Sequence, residues 1–138
     1  MNKKELKEIL DQHSLWLDSD GEEGRRAKLY GANLNGVNLT GAELRGAILF
    51  EANLTMADLR GAELREADLT WAELREADFR GADLRGAELW KANLTGAQLG
   101  PEIRECWSFA HARVSEDQLA WLCLHPKFGE WVSGLEIV

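Results

Sequence analysis

Hydrophobic and polar positions repeat along this chain with a period of five. A large apolar residue recurs fifteen times without a gap: Leu29, Leu34, Leu39, Leu44, Leu49, Leu54, Leu59, Leu64, Leu69, Leu74, Phe79, Leu84, Leu89, Leu94 and Leu99. An alanine stands two residues before each of them, except at Val37. This period suits neither regular element. On an α-helix a five-residue step rotates by about 140° per unit, so the leucines would spiral around the axis and bury nowhere. On a flat strand an odd step sends successive leucines to opposite faces.

A short strand ending in a corner does fit. In Ala62-Glu63-Leu64, alternation turns alanine and leucine inward and the middle residue outward. Arg65 and Glu66 must then both face out, which bends the chain. A corner after every three-residue strand winds the backbone around an axis lined by small and large apolar side chains. That is an all-β solenoid, and tandem self-similarity is its signature. The second residue after the leucine is glycine in eight units (Gly31, Gly36, Gly41, Gly46, Gly61, Gly81, Gly86 and Gly96). Glycine accepts the positive φ of tight turns. Pro101 occupies the same place in the last unit and ends the regular run.

An open solenoid exposes strand edges and core at both ends, so the flanks are expected to be caps. From Lys3 to about Leu17, the residues Leu6, Ile9, Leu10, His13 and Leu17 recur at helical spacing, and Asp18-Ser19-Asp20-Gly21 breaks the pattern. Beyond Pro101, Phe109 and Val114 stay in phase and Ala112-Arg113-Val114 resembles a degenerate unit. Ser115-Glu116-Asp117-Gln118 has the spacing of a capping box. A helix is expected through Leu119, Leu122 and Cys123, then a second from Pro126 carrying Phe128 and Trp131. Trp107, Trp121 and Trp131 supply bulk to seal that end. The organisation is therefore residues 1–26 as N-terminal helical cap, 27–101 as solenoid, and 102–138 as degenerate final coil plus helical cap.

Runs such as Ala52-Asn53-Leu54, Ala57-Asp58-Leu59 and Ala67-Asp68-Leu69 resemble the pentapeptide-repeat family, whose unit reads Ala-Asp/Asn-Leu-x-x. The leading segment, with Leu15-Trp16-Leu17 and Gly24-Arg25-Arg26, is similar to the one before the repeats of many bacterial members. The resemblance implies a right-handed quadrilateral β-helix of about four coils, with four units in each. The residues themselves leave three or four units per coil open, because arginine pairs are no commoner at separation twenty than at fifteen. The leading expectation is a non-enzymatic bacterial repeat protein that offers a surface to a protein partner. Some members protect DNA gyrase from quinolones as DNA mimics, which makes topoisomerase modulation the alternative.

Charge bears on that alternative. The formal net charge is −8, yet residues 27–101 hold eight basic and eleven acidic side chains. Arginines at 45, 60, 65, 75, 80 and 85 share units with Glu43, Asp58, Glu63, Glu73, Asp78 and Asp83. The surface is of mixed sign, whereas duplex DNA presents about one negative charge per ~1.7 Å. With a pI near 4.9 and no basic patch, direct nucleic-acid binding is not expected. No run nears the ~18 apolar residues of a membrane span. The charged N-terminus lacks a signal-peptide core, so a cytoplasmic location is expected.

Chemistry is sparse. Cys106 and Cys123 have no metal-binding spacing and read as buried thiols. His13, His111 and His125 lie in the flanks, and Ser108 and Ser115 have no nucleophile motif. No glycine-rich phosphate loop is present, and the carboxylates are generated by the repeat itself. No catalytic, cofactor or metal site is expected. One surface stands out. With twenty residues per coil, Tyr30, Phe50 and Trp90 align, Trp71 lies one position over, and Ile48 sits beside Phe50. Exposed apolar patches of this kind mark contacts. The candidate occupants are a cap of the same chain, a second copy in a homodimer, or an unknown protein partner.

Overall fold

The computed structural model describes residues 1–100, 111–118 and 134–138. The expectations for Pro101, Cys106, Trp107, Ser108, Phe109, Leu119, Trp121, Leu122, Cys123, His125, Pro126, Phe128 and Trp131 fall outside the described residues.

The chain opens with helix α1, Lys3–Asp18. Asn2 caps it: its side chain accepts from the Glu5 N–H at 2.8 Å, and Glu5 accepts from the Asn2 N–H at 3.0 Å. This reciprocal pair satisfies two of the free donors of the first turn. The repeats follow. From Lys28↔Ile48 to Asn93↔Arg113, each isolated bridge joins a residue to the one twenty positions on, in parallel. The arginine spacing could not separate fifteen from twenty; the register can, and each coil takes four five-residue units.

Within a unit the backbone bonds are divided between neighbouring coils. Around Leu54, the Asn53 N–H donates back to Ala32 O at 2.9 Å, and the Leu54 N–H donates forward to Glu73 O at 2.8 Å. The Met56 N–H also reaches forward, to Arg75 O at 2.8 Å, while the Ala57 N–H closes the corner on Leu54 O at 2.9 Å. The third residue of that corner has positive φ, as a type II turn requires. It is so at Gly41 (+65°), and equally at Glu51, Met56, Glu66, Trp71, Glu76 and Lys91, between +55° and +60°.

Alanine and leucine fill the inside. Fourteen of the fifteen central residues are buried, Phe79 among them. Leu99 is the correction: expected in the core, it is only half-buried, packed against the core at the end of the regular run. At the other end Ala32, Val37 and Ala42 are also half-buried, because no earlier coil lies beneath them. Leu6, Ile9 and Leu10 of α1 pack on this first coil.

The register continues past the regular run. Ala112 and Val114 are fully buried, the Leu94 N–H donates to Arg113 O, and the Arg113 N–H donates to Ala92 O. Strand β1, Arg113–Val114, pairs in parallel with β2, Glu136–Ile137. Ser115 and Gln118 form a reciprocal capping pair, and residues 116–118 begin a helix. The buried Gln118 amide does more. Its Nε2 donates to Leu94 O at 2.7 Å and to Ala97 O at 2.8 Å, occupying two carbonyls at the end of the coil.

Candidate interaction corner

Stacking of coils twenty residues apart turns sequence positions into columns. The position after the leucine gives Tyr30, Phe50, Thr70 and Trp90. The next position gives Gly31, Glu51, Trp71, Lys91 and His111. Both columns run along one corner of the solenoid. Trp71 (φ +60°), Lys91 (+55°) and His111 (+58°) all occupy the left-handed region, which projects their side chains outward at the turn.

The structure brings together only part of the expected patch. Trp71 and Trp90 meet edge to face, with centroids 5.7 Å apart and planes at 86°. This is a favoured aromatic geometry. Tyr30 is 68% exposed and has no ring contact among the described residues. Phe50 and Ile48 are half-buried, and Thr70 separates Phe50 from Trp90. The expected stripe is therefore an outlying Tyr30, a recessed Ile48–Phe50 pair, and an indole pair toward the C-terminal end.

Two polar residues join the indoles. The Lys91 Nζ lies 4.3 Å from the Trp71 ring centroid and 4.6 Å from that of Trp90, within cation–π range of both. The His111 ring stands edge to face on Trp90 at 6.3 Å. Gly134 packs against that imidazole, where a Cβ would come within 2.6 Å of the ring. Both residues were legible once the twenty-residue coil is assumed, since they extend the Glu51–Trp71 column.

Elsewhere on the repeat surface several arginines pair with carboxylates. Arg60, Arg80 and Arg85 reach back to Asp58, Asp78 and Asp83 of their own units. Hydrogen bonds from these guanidinium groups hold the three carboxyls below the usual carboxylate range. The pairs are solvent-exposed and contribute little to stability. Lys91 has no carboxylate within ion-pair distance among the described residues. No group of His, Cys, Asp and Glu placed to hold a metal occurs among them, and none of their helices is long and apolar enough to cross a membrane.

With the period, the twenty-residue register and the core of alanine and leucine in view, the comparison with known proteins is direct. The profile of the family described as pentapeptide repeats matches residues 27–65 and 62–99, and the chain belongs to this family. Its fold is the right-handed quadrilateral β-helix. Among solved structures the chain is similar to HetL from Nostoc sp. strain PCC 7120, a pentapeptide repeat protein involved in heterocyst differentiation regulation. The two share 36% identity over 64% of this chain and 40% of HetL, with a TM-score of 0.60. It is similar to Rfr23 from Cyanothece 51142 at 32% identity, over 82% of this chain and 58% of that one, with a TM-score of 0.54. It is also similar to alr5209 from Nostoc PCC 7120 at 28% identity, over 93% of both chains, with a TM-score of 0.56. The chain thus spans less than half of HetL and under two thirds of Rfr23. No curated protein matches it significantly.

Proposed function

We propose that this chain is a non-catalytic interaction module: a solenoid of about four coils, capped at its N-terminus by α1, with Trp71, Trp90, Lys91 and His111 as its working surface. The observation that carries this reading is Lys91. Its ammonium is held over two exposed indoles with no carboxylate beside it among the described residues. A protein surface bearing a carboxylate next to an apolar side chain complements that corner, because aromatic anchors beside a desolvated charge concentrate binding energy. A homodimer and a covering segment of the same chain are the competing occupants.

The test uses Trp71→Arg/Trp90→Arg and, separately, Lys91→Glu. Molar mass by light scattering, thermal melting and affinity capture from host lysate are compared with the unaltered protein. The expected result is unchanged mass and melting, with loss in both variants of a partner that the unaltered protein retains. A fall from dimer to monomer mass would assign the corner to self-association. A large drop in melting temperature would assign it to intramolecular packing, and capture that survives both variants removes the corner from the function. Topoisomerase modulation has less support, since the Arg–Asp pairs interrupt any acidic stripe. Gyrase supercoiling is expected to be unaffected by this protein.

A further inference from the structure

The opposite end of the molecule holds a groove of different chemistry. It lies between α1 and the segment of residues 21–28, is open to solvent along one side, has a volume of about 670 Å³, and is lined by Trp16, Arg25, Arg26 and Lys28 together with Glu8. Its volume falls within the range of about 300–1,000 Å³ that small-molecule sites occupy. Three cations against a single carboxylate is an unusual lining in a chain of net charge −8. Arg60, Arg80 and Arg85 of the repeats each have an aspartate within 2.7 Å, whereas Arg25 and Lys28, like Arg45 and Lys91, have no carboxylate within ion-pair distance among the described residues. Arg26 places its Nε on the Gly46 carbonyl, which leaves the two terminal nitrogens of its fork for another acceptor.

The walls are fixed in place. The Gly21 N–H donates to Trp16 O at 2.8 Å and the Arg25 N–H to Gln12 O at 2.9 Å, so the segment is tied to α1 at two points. The Glu23 N–H is held by the Ser19 hydroxyl at 2.8 Å. Gly24 permits the close approach: a Cβ there would meet Gln12 O at 2.2 Å. Trp16 is stacked on His13 at 5.5 Å and 11°, which sets the orientation of the indole that lines the groove. A preformed wall lowers the ordering cost of binding.

We propose that this groove binds a small phosphorylated ligand with a flat aromatic ring, of the nucleotide class. Guanidinium and ammonium groups without carboxylate partners suit phosphate oxygens, arginine by its bidentate fork and lysine as a point charge. An indole beside them suits a purine or pyrimidine, since base stacking on aromatic side chains is favourable for any base.

The experiment is calorimetric titration with ATP, and with adenosine and tripolyphosphate as its two halves. The unaltered protein is compared with Arg25→Glu/Lys28→Glu, a change at two exposed positions whose folding is checked by melting. The expected result is saturable one-site ATP binding, weakened at least tenfold in the double variant and by added salt, with each half-ligand binding more weakly than ATP. Absence of saturation at millimolar ATP overturns the proposal. So does ATP affinity that survives charge reversal in a variant of unchanged melting temperature. Tripolyphosphate binding as tightly as ATP overturns the role given to the indole.

Discussion

Where it is Asn or Asp, the residue between alanine and leucine completes the backbone hydrogen bonding of its unit. In the Leu54 unit, coil-to-coil and corner bonds occupy four of the five backbone N–H groups, and the Thr55 N–H is left over. Asn53 Oδ1 accepts it at 3.1 Å. The same bond is made at Asn33, Asn38, Asp58, Asp68, Asp78, Asp83 and Asn93, each to the residue two further on. Units with Glu at this place, such as Glu63, show none among the described residues, because the longer side chain carries its oxygen past the N–H. In the sequence the preference for Asn and Asp reads only as polarity. Its cause is visible once the other four donors have been assigned. Glycine pointed to a turn, but Glu51, Met56 and Glu66 adopt the same left-handed φ, so the coil imposes the conformation and glycine merely lowers its cost. Asn53→Ala and Asn53→Gln should both lose about 1 kcal/mol in urea denaturation, the usual contribution of one hydrogen bond, whereas Asn53→Asp should lose much less. Full stability in the Gln variant would show that any polar side chain suffices.

At the level of an element, α1 was legible from its apolar spacing: expected from Lys3 to about Leu17, it runs Lys3–Asp18. The means of its attachment was not legible. His13 stood among the apolar positions of the helix, and the structure buries it completely. Its Nδ1 accepts the Ala27 N–H at 3.1 Å, where the repeats begin. An accepting Nδ1 places the ring proton on Nε2, which is buried and faces the Arg45 carbonyl without reaching normal hydrogen-bond geometry. Burial lowers the pKa of the imidazole from its ordinary 6.5, the Arg45 carbonyl raises it, Arg26 lowers it and Glu43 raises it, with burial dominant. Protonation would set a second N–H against that of Ala27. Because the folded-state pKa lies below 6.5, stability is complete above that pH. It declines as pH falls toward the folded value, since the unfolded chain takes up the proton first. The Asp58, Asp78 and Asp83 carboxyls are held low and do not titrate in this window. Melting measured between pH 7.5 and 5.5 should therefore fall in the unaltered protein and flatten in His13→Asn, whose Oδ1 can accept the same N–H without a titrating ring. Equal slopes in the two proteins would refute the assignment.

Over the whole molecule, stability is propagated along one axis. Each coil touches only the coils beside it, so its contribution depends on neighbours at both ends. Leu64 lies between Leu44 and Leu84 in its column, and all three are buried. Leu99 belongs to the last regular unit and is only half-buried. The five-residue period makes these two leucines identical on paper. What separates them is their distance from an end of the stack, which depends on how the chain is closed after residue 100 and not on the unit itself. The aromatic corner was blurred for the same reason: the period places Tyr30, Phe50 and Trp90 in one column, but which neighbours touch depends on the rungs between, where Thr70 parts Phe50 from Trp90. Leu64→Ala should cost about 2–5 kcal/mol, the range for a fully buried leucine, and should lower the urea midpoint of the entire transition. Leu99→Ala should cost less than half as much. Its amide exchange should accelerate mainly from Leu94 onward, leaving the protection of Leu44 to Leu84 nearly unchanged, because loosening at an end of a stack need not pass through its middle. If Leu99→Ala instead lowered protection uniformly along the coils, the solenoid would be a single cooperative block, and the nearest-neighbour account of its stability would have to be abandoned.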